Sequence, residues 1–247
     1  ALYVDTNSAL SGGITIAGAS ASFVGALGNA GLIQDGVNVN AGALAGGVYN
    51  TGTIGSGSVA GIYLASSASL LSGLTNSGSI GGVATGIKLA QSSLSGGLTN
   101  SGSIGGVATG IKLAQSSLSG GLNNTGIVAG STYAINIASN SLLSGGITIA
   151  GASASFVGAL GNAGLIQDGV NVNAGAITGG VYNTGTIGSG SVAGIYLASS
   201  ASLLSGLTNS GSIGGVATGI KLAQSSLSGG LTNSGSIGGV ATGIKLA

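Results

Sequence analysis

Residues 94–117 read LSGGLTNSGSIGGVATGIKLAQSS, and a closely similar pattern begins again at Leu118. Apolar residues alternate with other residues over short runs, as at Ile87 and Leu89. That alternation is typical of a strand with one buried face. Glycine pairs and Ser/Asn clusters interrupt the runs, and no apolar stripe with helical spacing outlasts one turn. The pattern therefore predicts short β-strands rather than helices.

A tetrad of Gly or Ala, an apolar residue, any residue and a second apolar residue marks each repeat. It begins at positions 1, 36, 61, 86, 110, 134, 169, 194, 219 and 243, with spacings of 35, 25, 25, 24, 24, 35, 25, 25 and 24. The repeating unit is thus a coil of about 24 residues, a length typical of solenoid repeats. The two longer steps contain the segment ITIAGASASFVGALG, at residues 14–28 and 147–161. We interpret these insertions as an outward loop or a short extra hairpin.

A longer repeat contains the shorter one. Residues 10–114 recur as residues 143–247, at an offset of 133, and differ at only two positions. This predicts one continuous solenoid over residues 1–247, with a first super-repeat at 1–133 and a second, truncated one at 134–247. We expect the chain to begin and stop inside the long repeat.

One coil is too small to bury its own apolar side chains, so successive coils must stack on one another. The sequence predicts an all-β fold, a parallel β-helix (β-solenoid) of about ten coils. Stacking places equivalent residues above one another, and stacked Asn amides can hydrogen-bond from coil to coil. The predicted structural Asn ladder consists of Asn50, Asn76, Asn100, Asn124, Asn183, Asn209 and Asn233.

The third residue of the tetrad is expected to point outward. This predicts a surface row of Tyr3, Asn38, Tyr63, Lys88, Lys112, Asn136, Asn171, Tyr196, Lys221 and Lys245. The simpler interpretation is a solvated face that discourages aggregation. The alternative is a stripe that binds a glycan or another surface. Tyr63 lies beside Lys88 in this arrangement, so a cation–π contact between them is expected.

Composition limits the partners. The chain has four Lys, three Asp and a net charge of +1, which provides no basic surface for nucleic acid. It is 43% hydrophobic and 3% charged, which argues against intrinsic disorder. No apolar run is long enough for a membrane-spanning helix, and six Tyr and two Phe are too few for the aromatic girdles of a membrane barrel.

Catalytic residue types are scarce. The sequence contains no His, Cys, Glu or Arg, so the usual general bases, nucleophile pairs and transition-metal sites cannot be assembled. We therefore expect no enzyme activity, cofactor or metal. Asp35 and Asp168 occupy the same repeat position, and we interpret them as turn residues five coils apart on one stack.

The elements N-[ST]-G-x-I, G-I-x-L and L-S-G-G, found along essentially the whole chain, resemble repeats in passenger regions of bacterial autotransporters and large surface adhesins. The resemblance implies a right-handed β-helix and an extracellular location on the cell surface. It also implies a role as a stalk, adhesin or fibre. Together with the near-identical long repeats, it favours a structural filament whose main partner is itself. The contact would be made end to end, within a longer chain or by lateral bundling.

Overall fold

Each coil forms four short strands that follow one another around a central core. In one coil they are Leu74–Asn76, Ser79–Gly82, Thr85–Ala90 and Ser93–Leu94. The next coil begins at Leu98, which pairs with Leu74. The computed structural model describes residues 1–55, 57–188 and 190–247, and over these ranges the chain forms strands, turns and bends but no helix.

Equivalent strands pair in parallel and build two walls joined by two corners. Wall A consists of Leu2–Val4, Leu27–Asn29, Val48–Asn50, Leu74–Asn76, Leu98–Asn100, Leu122–Asn124, Ile147–Ala150, Val170–Asn173, Ala193–Ala198, Thr218–Ala223 and Thr242–Leu246. Wall B consists of Ile14–Ala17, Val37–Asn40, Ala60–Ala65, Thr85–Ala90, Thr109–Ala114, the second parts of Ile127–Ile137 and Ser155–Asn162, Val181–Asn183, Leu207–Asn209 and Leu231–Asn233.

The corners contain shorter strands. Corner A consists of Ala9–Leu10, Leu32–Ile33, Thr53–Ile54, Ser79–Gly82, Ser103–Gly106, the first parts of Ile127–Ile137 and Ser155–Asn162, Ala176–Ile177, Ser202–Leu203 and Ser226–Leu227. Corner B consists of Ser22–Phe23, Ala43–Leu44, Ser69–Leu70, Ser93–Leu94, Ser117–Leu118, Leu142–Leu143, Leu165–Ile166, Thr186–Ile187, Ser212–Gly215 and Ser236–Gly239.

The described strands belong to three sheets. Wall A is an 11-stranded sheet and corner B is a 10-stranded sheet. Wall B and corner A form one 18-stranded sheet, because two long strands, Ile127–Ile137 and Ser155–Asn162, run through both. The prediction of an all-β parallel solenoid with about ten turns of about 24 residues is confirmed.

The core is a stack of side chains from all four strands of each coil. On wall B, Ile87 and Leu89 are buried while Lys88, between them, points outward and is half-buried. In corner A, Ile104 lies between Ile80 and Val128, all three fully buried. Each coil thus covers the apolar residues of its neighbour, which is the main stabilising contribution available to a repeat structure.

Glycine is required where coils approach closely. A Cβ atom on Gly102 would collide with the backbone carbonyl oxygen of Gly78 in the coil below. Gly97, in the turn before wall A, has a φ of +79°, a left-handed conformation that side chains disfavour. The tight stacking of coils therefore accounts for much of the glycine in this chain.

The segments at residues 14–28 and 147–161 are both part of the solenoid, and the expected outward loop or hairpin is wrong for each. Ile147–Ala150 pairs with Leu122–Asn124 in wall A, and Ser155–Asn162 continues through corner A into wall B. Ile147 is 1% exposed and Phe156 is fully buried. The alternating apolar residues of this segment form strands because they fit the same inward positions as those of every other coil.

This extra segment adds half a coil and exchanges the two walls. Residues 27–29 and 160–162 have the same sequence, Leu-Gly-Asn, but the first lies on wall A and the second on wall B. Strand pairing on wall A connects Leu27 to Ile147 through five successive coils, and Leu160 lies half a coil further along the chain. The sequence offset of 133 therefore corresponds to five and a half coils.

Candidate functional sites on the walls

Asparagine side chains form hydrogen-bonded ladders at the inward end of the short wall strands. Asn76 Nδ2 donates to Asn100 Oδ1, and Asn100 Nδ2 donates to Asn124 Oδ1, both at 2.7 Å. Each amide nitrogen also donates to the carbonyl oxygen of the glycine two residues later, as Asn100 does to Gly102 at 3.2 Å. These bonds satisfy polar groups that are fully buried.

The structure divides the predicted ladder into two segments on different walls. The wall A segment contains Asn29, Asn50, Asn76, Asn100 and Asn124, and the wall B segment contains Asn162, Asn183, Asn209 and Asn233. Sequence reasoning missed Asn29 and Asn162, the first member of each segment. The motif Asn-x-Gly, present at all nine positions, would have found them.

Each segment begins above an apolar residue. Asn29 stacks on Val4 and Asn162 stacks on Ile137. Neither apolar side chain can donate a hydrogen bond, so the buried Oδ1 atoms of Asn29 and Asn162 have no partner. Because of the exchange of walls, each segment therefore starts with one buried side-chain carbonyl oxygen that lacks a hydrogen bond, which destabilises the fold.

The predicted outward row is also divided between the walls, so its ten residues do not form one stripe. Wall A carries Tyr3, Asn171, Tyr196, Lys221 and Lys245, with six other residues between Tyr3 and Asn171. Wall B carries Asn38, Tyr63, Lys88, Lys112 and Asn136. Because of the half coil, two shorter stripes lie on opposite sides of the core.

Tyrosine and lysine make the same contact on both walls. Lys88 Nζ lies 4.8 Å from the centroid of the Tyr63 ring, and Lys221 Nζ lies 4.7 Å from that of Tyr196. The expected cation–π contact between Tyr63 and Lys88 is confirmed. It fixes a flexible lysine side chain above an aromatic ring.

A recess of about 330 Å³ lies beside Tyr63, where the turn at residues 57–59 leads into wall B. Gly57 N donates to Gln34 O at 3.0 Å, and Val83 N donates to Ser58 O at 2.7 Å, so the turn is tied to the preceding coil and to the next one. The recess is lined by Asp35, Val37, Asn38, Ser58, Val59, Ala60, Tyr63 and Lys88. It combines an aromatic ring, a carboxylate, an amide and an ammonium group.

The two aspartates predicted to share one stack lie on different walls. Asp35 precedes the wall B strand Val37–Asn40, whereas Asp168 precedes the wall A strand Val170–Asn173. Asp168 Oδ2 accepts a hydrogen bond from Gly145 N at 3.0 Å. Within the described ranges, no group of three or more His, Cys, Asp or Glu residues is placed to hold a metal ion.

No protein-family model matches this chain, no curated protein has a significantly similar sequence, and no solved structure has a significantly similar fold. In the part of the chain that the structure describes, no helix has the length and hydropathy to cross a membrane.

Proposed function

We propose that the chain is a structural, extracellular protein that forms a filament, fibre or adhesin stalk on a bacterial surface by continuous stacking of β-solenoid coils. The proposal rests on one observation: successive coils of nearly the same sequence stack directly on one another. Residues 74–76, 98–100 and 122–124 have nearly the same sequence and pair in register.

The interior coils support the same conclusion. Leu113 pairs with Leu89 in the coil below and with Ile137 in the coil above, and all three side chains are fully buried. Each coil thus presents an apolar surface and paired strand edges to a neighbour on both sides, so the coil surface is suited to continued stacking.

A structural role fits the near-identity of the long repeats, because length depends on the number of coils rather than on one distinctive site. Each long repeat would add five and a half coils, about 26 Å at a strand spacing of about 4.8 Å. The resemblance to autotransporter passenger and adhesin repeats supports a cell-surface location. It also supports a right-handed coil.

Two measurements test this function. Antibodies raised against the 247-residue chain should label intact cells of the source organism as strongly as permeabilised cells. Chains with one, two and three copies of the long repeat should form rods whose length in electron micrographs increases by about 26 Å per copy. Labelling only after permeabilisation, or rods of constant length, would contradict the proposal.

A further inference from the structure

We propose that the recess beside Tyr63 binds a neutral hexose unit of a polysaccharide, and that the equivalent surface beside Tyr196 binds a second one on the opposite wall. This activity is separate from the structural role, because it depends on side chains around the recess and not on stacking. The recess beside Tyr63 has a volume of about 330 Å³, which falls in the range of about 300–1,000 Å³ typical of small-molecule sites.

Hydrogen-bond acceptors dominate the polar lining of the recess. The hydroxyl of Ser58 donates its proton to Ala60 O at 2.5 Å, which leaves the Ser58 oxygen as an acceptor. Asp35 adds a carboxylate. These groups favour a ligand with several donors close together, as the hydroxyl groups of a sugar are.

The remaining lining suits the carbon–hydrogen faces of a sugar. Val59 is 68% exposed although it is apolar, and it lines the same recess as Tyr63. Lys88 borders this recess too and provides the ammonium donors for a ligand oxygen. The opposite charges of Lys88 and Asp35 balance, which favours an uncharged ligand.

The contacts that shape the recess recur at the equivalent positions of the second long repeat. Ser191 donates to Ala193 O at 2.5 Å, as Ser58 does to Ala60 O. Val192 is 72% exposed, and Lys221 covers the ring of Tyr196. The second site therefore repeats the serine, valine and tyrosine–lysine contacts of the recess, but there Asp168 Oδ2 also accepts a hydrogen bond from Gly145 N.

The placement of the two sites determines what binding would do. Tyr63 lies on wall B and Tyr196 on wall A, separated by five and a half coils. Sites on opposite walls cannot both face one flat surface. A chain with both sites occupied would join two polysaccharide strands, so the expected effect is cross-linking rather than one-sided attachment.

The experiment uses the purified 247-residue chain and does not require filaments. Saturation-transfer NMR with methyl glycosides of glucose, mannose, galactose and N-acetylglucosamine identifies the hexose, and calorimetry with the matching oligosaccharide gives affinity and stoichiometry. We expect two sugars per chain, one after Asp35→Asn, and a loss of about tenfold or more in affinity at both sites after Asp35→Asn with Asp168→Asn. A soluble polysaccharide of the same hexose should become turbid with the parent chain but not with the single variant.

The matched control is Tyr49→Ala with Tyr182→Ala, an exposed pair at the same offset but outside both recesses. It should leave binding and turbidity unchanged. Both aspartate variants are isosteric, and circular dichroism verifies their folding. The proposal is overturned if none of the four glycosides binds, if the double aspartate variant binds as the parent does, or if the control pair loses binding equally.

Discussion

Asn100 shows how this solenoid holds a polar side chain in an apolar core. Its amide lies between those of Asn76 and Asn124 and bonds to both at 2.7 Å. It also donates to Gly102 O and, in the next coil, to Ile127 O. A buried amide with these partners offsets its desolvation, whereas one without them would destabilise the fold.

We expect Asn100→Ala to lower the free energy of unfolding by about 2–4 kcal/mol. The substitution leaves Asn124 Oδ1 without its ladder donor, as Asn29 Oδ1 is, and opens a small cavity. Urea unfolding followed by circular dichroism measures the change. The control is Asn123→Ala, whose side chain is exposed, and its effect should stay within about 0.5 kcal/mol. Equal effects of the two substitutions would show that the ladder contributes no stability.

Most of the ladder could be predicted from the sequence, because residues such as Asn76 and Asn100 recur at the coil period. The predicted ladder does not include Asn29 and Asn162, because they follow Gly28 and Gly161, whereas the other ladder residues follow Thr, Tyr or Asn. The unpartnered oxygen of Asn29 could not be predicted at all. It depends on which residue lies in the coil below, and that is a property of the coil count.

At the scale of elements, the segment at residues 147–161 behaves as half a coil because its first three residues complete the tetrad Gly146-Ile147-Thr148-Ile149. This tetrad has the same alternation as Gly86-Ile87-Lys88-Leu89. The regular coil period does not place a tetrad at this position, and the spacing of the tetrads therefore predicts a loop here. The segment nevertheless forms a strand with Ile147 and Ile149 buried, because a strand needs only an inward apolar face and a neighbouring strand with which to pair.

Deletion of residues 147–159 should give a folded solenoid with one continuous Asn ladder. The deletion joins Gly146 to Leu160, so the junction reads LSGGLGNAGLI, which matches the LSGGLNNTGIV that begins at Leu118. Leu160 would then stack on Leu122 in wall A, and Asn162 would accept a hydrogen bond from Asn124. The deleted chain should keep its β-sheet circular dichroism spectrum.

Cysteine cross-linking measures this change of wall. The chain contains no cysteine, so pairs introduced by Asn123→Cys with Gly161→Cys react without background. In the parent, Asn123 pairs with Thr148 on wall A while Gly161 lies on wall B, and a short bifunctional thiol reagent should not join the two cysteines. In the deletion variant the same two positions should be neighbours and cross-link efficiently. Absence of the cross-link in a folded deletion variant would contradict the half-coil interpretation.

At the scale of the whole molecule, stacking of about ten coils could be predicted because the tetrads recur along the entire chain. The orientation of the second super-repeat could not. Comparison of the repeat sequences cannot reveal the half coil, because Tyr63 and Tyr196 have identical neighbours in sequence. The structure places them on opposite walls, so every surface feature of one super-repeat recurs in the next after half a turn about the axis.

Spin-label distances test this half turn. Lys88 and Thr208 lie on wall B, five coils apart, so labels at Lys88→Cys and Thr208→Cys should be about 24 Å apart along the axis. Lys221 lies only half a coil further along the chain than Thr208 but on wall A. Labels at Lys88→Cys and Lys221→Cys should therefore give a clearly longer distance by pulsed electron resonance, because the core lies between them and the labels point in opposite directions. Similar distances for the two pairs would place both lysines on one wall and would remove the basis for cross-linking by the two recesses.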